Sequence, residues 1–410
     1  MPHIQLRKTS TRGSYLTPDL DYELSEAVVA DDQVFLGGQS GLTLDGKGFV
    51  GEGDPAAQAE EAMKNVRILL EEAGAKMEDV CLVNNYTTNR EDRAKVYPVI
   101  ARHLESVNPV STGLIVKSLA EPYIDFEIDV WTIIPRDRQR GHERLRLTNA
   151  KGGYLMPTLD FGNSKVIRAN NHVFLQGQTG MSLDGRGFEG EGDPGKQAGV
   201  AMKNVKELLA DVGASLNDVC KITTYLTDPS HRVQIDPVLS KHFRDINPVV
   251  TTTVVKGLAR PELNFEIDVF ANLSDTVGGR IERFGVGKSN DILGPHCPLS
   301  QIVRAGNFIF LPGQSGLKPD GTELFGPGDP ADQADQAMRN VKDLLKEAGA
   351  SVSDICKVTT YVRNHSARAK VYPVIGHHLG SVGPTFTGVV VEELSSPELD
   401  FEIDVFAVTG

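Results

Sequence analysis

Three acidic pairs recur in one context: Glu127 with Asp129, Glu266 with Asp268 and Glu402 with Asp404, each inside an FEID stretch. Residues two apart on a strand point to the same face, so each pair sets two carboxyls side by side. If the three acidic faces converge on a common axis, like-charge crowding would raise some of their pKa values toward the range useful for general acid–base chemistry, such as activating a water. The structural alternative is that these groups bond backbone amides or ordered water between repeats. His296 and Cys297 stand together once, in GPHCP. A catalytic thiolate needs a base or positive field, and adjacent extended residues point to opposite sides, so only one of the two can face a given site. The other reading is a turn or a packed residue. Ser25, Ser164 and Ser300 recur just before an apolar strand, where they suit turn capping. Ser111 and Thr112 open a later strand and offer hydroxyls to a neutral substrate group, while Asp21 and Asp160 match His296 in register. The ten His residues lack the paired Cys or acidic spacing of a metal site. The glycine-rich GKGFVGEGDP lacks the Lys-Ser/Thr ending of a phosphate loop.

The elements that must hold these residues also come in triplicate. VFLGGQSG from Val34, VFLQGQTG from Val173 and IFLPGQSG from Ile309 each end an apolar strand in a glycine bend. Asp54, Asp193 and Asp329 follow, 139 and then 136 residues apart, so the repeat is domain-sized. Each Asp can cap a helix with Pro in its first turn, and Gly74, Gly213 and Gly349 end it. Ala59, Ala62, Met63, Val66 and Leu70 give that helix one apolar face. A strand with Tyr86, Tyr225 or Tyr361 comes next. A second helix is expected to start at Pro98, Pro237 and Pro373, because proline is disfavoured inside one. Two strands close the unit, with Phe126 and Ile128 facing the helices and Glu127 and Asp129 facing away. The expectation is three α+β modules, at 1–140, 141–276 and 277–410.

The formal charge of -13 argues against a nucleic-acid surface. No run of about 18 apolar residues suggests a membrane span, and MPHIQLRKTSTRGSY has no signal-peptide core. A cytoplasmic location is expected. The basic run 136–146 suits a solvated connection between modules. Cys81, Cys220 and Cys356 hold one equivalent position and suit buried apolar filler in a reducing compartment.

The pattern resembles the Rid family, the YjgF-type reactive-intermediate deaminases. The xGQ bend, the DPxxQAxxAMxN helix, the Tyr-containing strand and the E-I-D ending run through every copy. The resemblance implies an α+β, chorismate-mutase-like fold: a mixed sheet with two helices on one face. It also implies a pseudo-trimer made within one chain, with clefts between modules; further pairing of such units is left open. The implied activity is hydrolysis of small imines or enamines, on C–N bonds other than peptide bonds, without a cofactor. In that family an arginine two residues after a proline grips the substrate carboxylate; here those positions are Ser111, Val250 and Phe386. The implied water-holding acid is kept as Glu127, Glu266 and Glu402. The leading expectation is therefore a hydrolase of a small C–N substrate that is neutral, or whose carboxylate is held differently. Val250 and Phe386 suggest that their clefts are filled, leaving the one at Ser111. One alternative is a non-catalytic small-molecule-binding or scaffold protein. The other is a ring-opening amidohydrolase of the three-module type, using the recurring serines with lysines.

Overall fold

The first helix of each module forms where the capping residues put it. A computed structural model describes residues 3–12, 14, 22–273, 281–287, 293 and 297–410. In it α1 spans Pro55–Glu72, and the Asp54 carboxylate accepts the amides of Ala56 and Ala57 at 3.1 and 3.2 Å. Gly74 then turns the chain out at φ +74°, which a side chain resists. Ala59, Ala62, Met63, Val66 and Leu70 are fully buried against the sheet. Gln58 pins this helix to the acidic strand: its Oε1 accepts the amides of Asp125 and Phe126. Gln197 and Gln333 repeat the pin.

The second helix starts earlier than the sequence suggests. It spans Arg93–His103 (α2), and its first five residues precede Pro98. The remaining helices are Pro194–Asp211 (α3), Arg232–Phe243 (α4), Pro330–Glu347 (α5) and Arg368–Leu379 (α6). Proline withholds one hydrogen bond from the carbonyl four residues back, and a preceding turn with its own backbone bonds absorbs that. The carbonyls of Arg90, Glu91 and Asp92 accept the amides at 93–96 of this turn. The extra turn carries Arg93 and Tyr97 onto the same helix face.

Each module's sheet runs, in module one, Ile4–Leu6, Ala27–Ala30, Gln33–Leu36, Phe126–Ile133, Val80–Thr87, Val110–Ile115. Only the last pair is parallel. Modules two and three repeat this order, beginning at Glu143–Leu145 and Ile281–Phe284. Both helices cover one face, where Phe126 and Ile128 join their core.

The other faces of the three sheets meet. Trp131, Phe270 and Phe406 touch pairwise, with ring centroids 4.6–5.8 Å apart, so equivalent strands from all modules share an axis. Cys81, Cys220 and Cys356 lie buried in the same cluster as free thiols. Tyr86, Tyr225 and Tyr361 share another. Ser25, Ser164 and Ser300 are buried, and each hydroxyl donates to a carbonyl of the preceding module at 2.7 Å: Gly383, Asn108 and Asn247. The serines are inter-module fasteners, with their hydroxyl protons committed to the backbone.

Candidate active site in the clefts between modules

The strand after the second helix and the FEID strand of the next module face each other across each cleft. Glu266, from module two, lines a cavity with Arg93, Tyr97, Ser111 and Gly113 of module one. Glu127, from module one, lines another with Arg368, Tyr372, Phe386 and Gly388 of module three. The third cleft pairs Glu402 of module three with Arg232 of module two, close enough to interact electrostatically. The glutamates thus occupy separate clefts, and the expectation that they converge on the axis is corrected.

Each glutamate lies under the glycine bend of its own module. A Cβ at Gly38, Gly177 or Gly313 would come within 2.0, 2.0 or 1.9 Å of the Oε1 of Glu127, Glu266 or Glu402. The middle Gly of every xGQ is therefore needed for this close approach. Burial is the largest influence on the carboxyls, and the adjacent aspartate is second. Both push upward: Glu127 and Glu402 reach about 8, and Glu266 moves well above the usual carboxylate range. At neutral pH these groups hold their proton, so each can act as an acid before it acts as a base. Arg368 opposes the rise at Glu127 and Arg93 opposes it at Glu266.

The aspartates two residues on are not equivalent. Asp129 accepts from Lys357 at 3.0 Å and Thr387 at 2.6 Å; Asp404 accepts from Lys221 at 2.6 Å and Thr251 at 2.8 Å. The matching residue of module one is Leu82, so Asp268 has no lysine. It accepts from Thr112 at 2.5 Å and from Tyr225 at 3.1 Å, and burial lifts its carboxyl to about 6.

The arginines come from the early helical turn. Arg93 is buried over the Tyr97 ring, 4.8 Å from its centroid, and its Nη1 has no hydrogen-bond partner among the described residues. Arg368 sits over Tyr372 at 4.7 Å. Gly113 and Gly388 make room for this arrangement, since a Cβ on either would lie 2.3 Å from the tyrosine hydroxyl. Module two has Thr252 and Asp236 at these places, and Asp236 binds Arg232 at 3.0 Å. Two clefts therefore hold an arginine free of any carboxylate partner on its own helix, and the third holds one already neutralised.

Ser111 lies in the first cavity and accepts a hydrogen bond from Asn85. Thr112 does not face substrate, because its hydroxyl is committed to Asp268. Asp160 is also corrected: it is exposed and pairs with Lys151 at 3.2 Å, while its neighbours Leu159 and Phe161 line the cavity. Cys297 packs in the core of module two, where burial raises its thiol and disfavours the nucleophilic thiolate. Asp21 and His296 fall outside the described residues. Val250 is core, but Phe386 does not fill its cleft; it leans on Tyr22 at 5.3 Å in the wall of a cavity of about 430 Å³. The cavity at Ser111 measures about 110 Å³. Among the described residues no cluster of His, Cys, Asp or Glu could hold a metal ion, and no helix is long and apolar enough to cross a membrane.

Three α+β modules around an aromatic axis, with an acid and an arginine meeting across the clefts, define a fused trimer of one small fold. The profile of the Endoribonuclease L-PSP family matches residues 17–134, 160–273 and 290–409, and the chain belongs to that family. It is similar to a RutC family protein of Pyrococcus horikoshii, 36% identical over 113 residues, covering 28% of this chain and 88% of that protein. The 2-iminobutanoate/2-iminopropanoate deaminase of Escherichia coli K12 is 32% identical over 111 residues, covering 27% of this chain and 85% of the relative. Among solved structures, a chorismatase superposes over 81% of this chain and 93% of its own with a TM-score of 0.52; at 13% identity this likeness concerns the fold alone.

Proposed function

We propose that this protein hydrolyses the C=N bond of a small imine, or of the imine tautomer of an enamine, carrying a carboxylate, in two of its three clefts. The observation that carries the reading is the buried arginine lining the same cavity as a buried, proton-holding glutamate: Arg93 with Glu266, and Arg368 with Glu127. The guanidinium fork suits a carboxylate and takes the role of the clamp missing at Ser111 and Phe386, approaching from the helix instead of the strand. The glutamic acid protonates the imine nitrogen, and the resulting carboxylate takes a proton from water as it adds to carbon. The regained proton passes to the amine, ammonia leaves, and the remaining hydroxyl proton returns to the carboxylate as the carbonyl forms. A relative bearing the name 2-iminobutanoate/2-iminopropanoate deaminase supports this substrate class. Asp236 takes the third cleft out of the count.

Ammonia release from freshly generated 2-iminopropanoate tests the reading with Arg93→Met, Arg368→Met and the double variant. Each single variant removes its own cleft's share. The double lowers kcat/KM by about tenfold or more, the worth of a charge-assisted hydrogen bond. Full activity in the double variant refutes the arginine's role.

A further inference from the structure

The two open clefts differ at the residue that follows the fastening serine. This register position is Glu26 in module one, Lys165 in module two and Gln301 in module three. Glu26 is half-buried and accepts a hydrogen bond from Gln39 at 3.2 Å. Lys165 is only 9% exposed and lines the cavity that holds Arg93, Ser111 and Glu266. Its backbone is fixed: its amide donates to Leu145 and its carbonyl accepts from Gln176. Its Nζ, by contrast, has no hydrogen bond or ion pair to another described residue; Asp184 is the acidic group that influences it. A buried ammonium without a carboxylate is expensive, so the amine is pushed down to about 8 and part of it is the neutral nucleophile near neutral pH. Gln176, in the same wall, has a buried Oε1 with no partner among the described residues. The cavity of about 110 Å³ is near the size of cavities of about 150 Å³ that take a benzene-sized molecule, which sets the scale of the ligand.

We propose that Lys165 forms a Schiff base with a small 2-oxo acid, or with the matching 2-imino acid by transimination, while Arg93 holds the carboxylate. This rests on the cleft between modules one and two being a substrate site. With the oxo acid, Nζ attacks the carbonyl carbon to form a C–N bond, and a proton from Glu266 lets the former carbonyl oxygen leave as water. With the imino acid, Nζ adds to the C=N carbon and the original nitrogen departs as ammonia. Water then adds to the lysine-bound carbon and returns the free amine and the carbonyl product. No oxidant or reductant takes part. The cleft between modules three and one has Glu26 at this place; of the lysines in its lining, Lys8 pairs with Glu23 at 2.9 Å and Lys47 is exposed, so neither repeats the buried, unpaired Lys165.

The test treats the full-length protein with pyruvate and sodium cyanoborohydride, which reduces a Schiff base to a stable amine, and maps the adduct by peptide mass spectrometry. The expected result is labelling at Lys165 about tenfold or more above the exposed Lys203, with a fall of about tenfold in Arg93→Met. Lys165→Gln, which places the residue of module three at this position, removes that label and leaves the surface lysines unchanged. Labelling of Lys165 in the wild-type protein no greater than that of Lys203 overturns the proposal, with no variant required to fold. Ammonia release measured on the same samples reports separately on the hydrolytic reading. Hydrolysis without Lys165 labelling defeats only the lysine, and labelling without hydrolysis defeats only the hydrolase.

Discussion

Replacing Lys357 by Leu, the residue that module one carries as Leu82, should cost stability in a way that depends on pH. Lys357 is 2% exposed and bonds Asp129, Thr387 and the Leu36 carbonyl. The variant leaves Asp129 buried with a threonine but no cation, which is the situation of Asp268 in the wild-type protein. There the carboxyl stands at about 6 instead of 3.8. A carboxyl so displaced costs about 3 kcal/mol once ionised, near the low end of the range for a broken buried ion pair. The folded-state pKa is raised, so the group's stability is present below the unfolded value and is lost as pH rises from about 4 to about 6. At pH 4 the orphaned Asp129 of the variant, placed as Asp268 is, holds its proton, so the deficit shrinks. Urea denaturation of both proteins at pH 4 and pH 8 measures this. The expected difference is about 3 kcal/mol at pH 8 and much less at pH 4. An equal deficit at both values would mean that packing, and not charge, accounts for the effect.

Two further perturbations follow from the cleft geometry. Gly388→Ala puts a methyl where the Tyr372 hydroxyl lies 2.3 Å away, so the Arg368–Tyr372 pair must move. The cleft it serves should lose activity, with a stability cost of about 1–3 kcal/mol from overpacking; a crystal structure with Tyr372 unmoved refutes this. Glu127→Gln removes a carboxyl raised from 4.5 to about 8, whose stabilisation is lost as pH rises through that window. The variant should therefore gain on the wild type between pH 4.5 and 8, by up to about 5 kcal/mol, and unchanged relative stability across that range contradicts the assignment. Hydrolysis in the cleft of Glu127 should fall as pH rises above about 8, read from the pH profile of kcat in Glu266→Gln, where that cleft works alone.

The modules were legible because each local signal agreed with the next: Asp54 and Pro55 start a helix, Gly74 stops it, and the alternation of FEID assigns faces. The site was legible only on one side. Glu127, Glu266 and Glu402 stood out through their register, whereas the arginines were hidden by starting the second helix at Pro98. That removed the turn carrying Arg93 and Tyr97. A signal was present, since RAKVYPVI occurs identically from Arg93 and from Arg368 while module two reads RVQIDPVL from Arg232. Asp160 misled because it shares a segment with the cavity residues Leu159 and Phe161 yet points outward to Lys151. Thr112 and the lysines Lys221 and Lys357 were opaque for a different reason. Their partners lie in other modules, at Asp268, Asp404 and Asp129, and no spacing within one repeat can show a contact made between repeats.

The proposed function requires two working clefts and a third closed by its own aspartate, Asp236. Ammonia release from 2-iminopropanoate by Glu402→Gln, compared with the Glu127→Gln/Glu266→Gln double variant, tests it directly. Glu402→Gln should turn over as the wild type does, and the double variant should fall by about a hundredfold or more, the loss of general acid–base catalysis. Loss of most turnover in Glu402→Gln, or its survival in the double variant, contradicts the account.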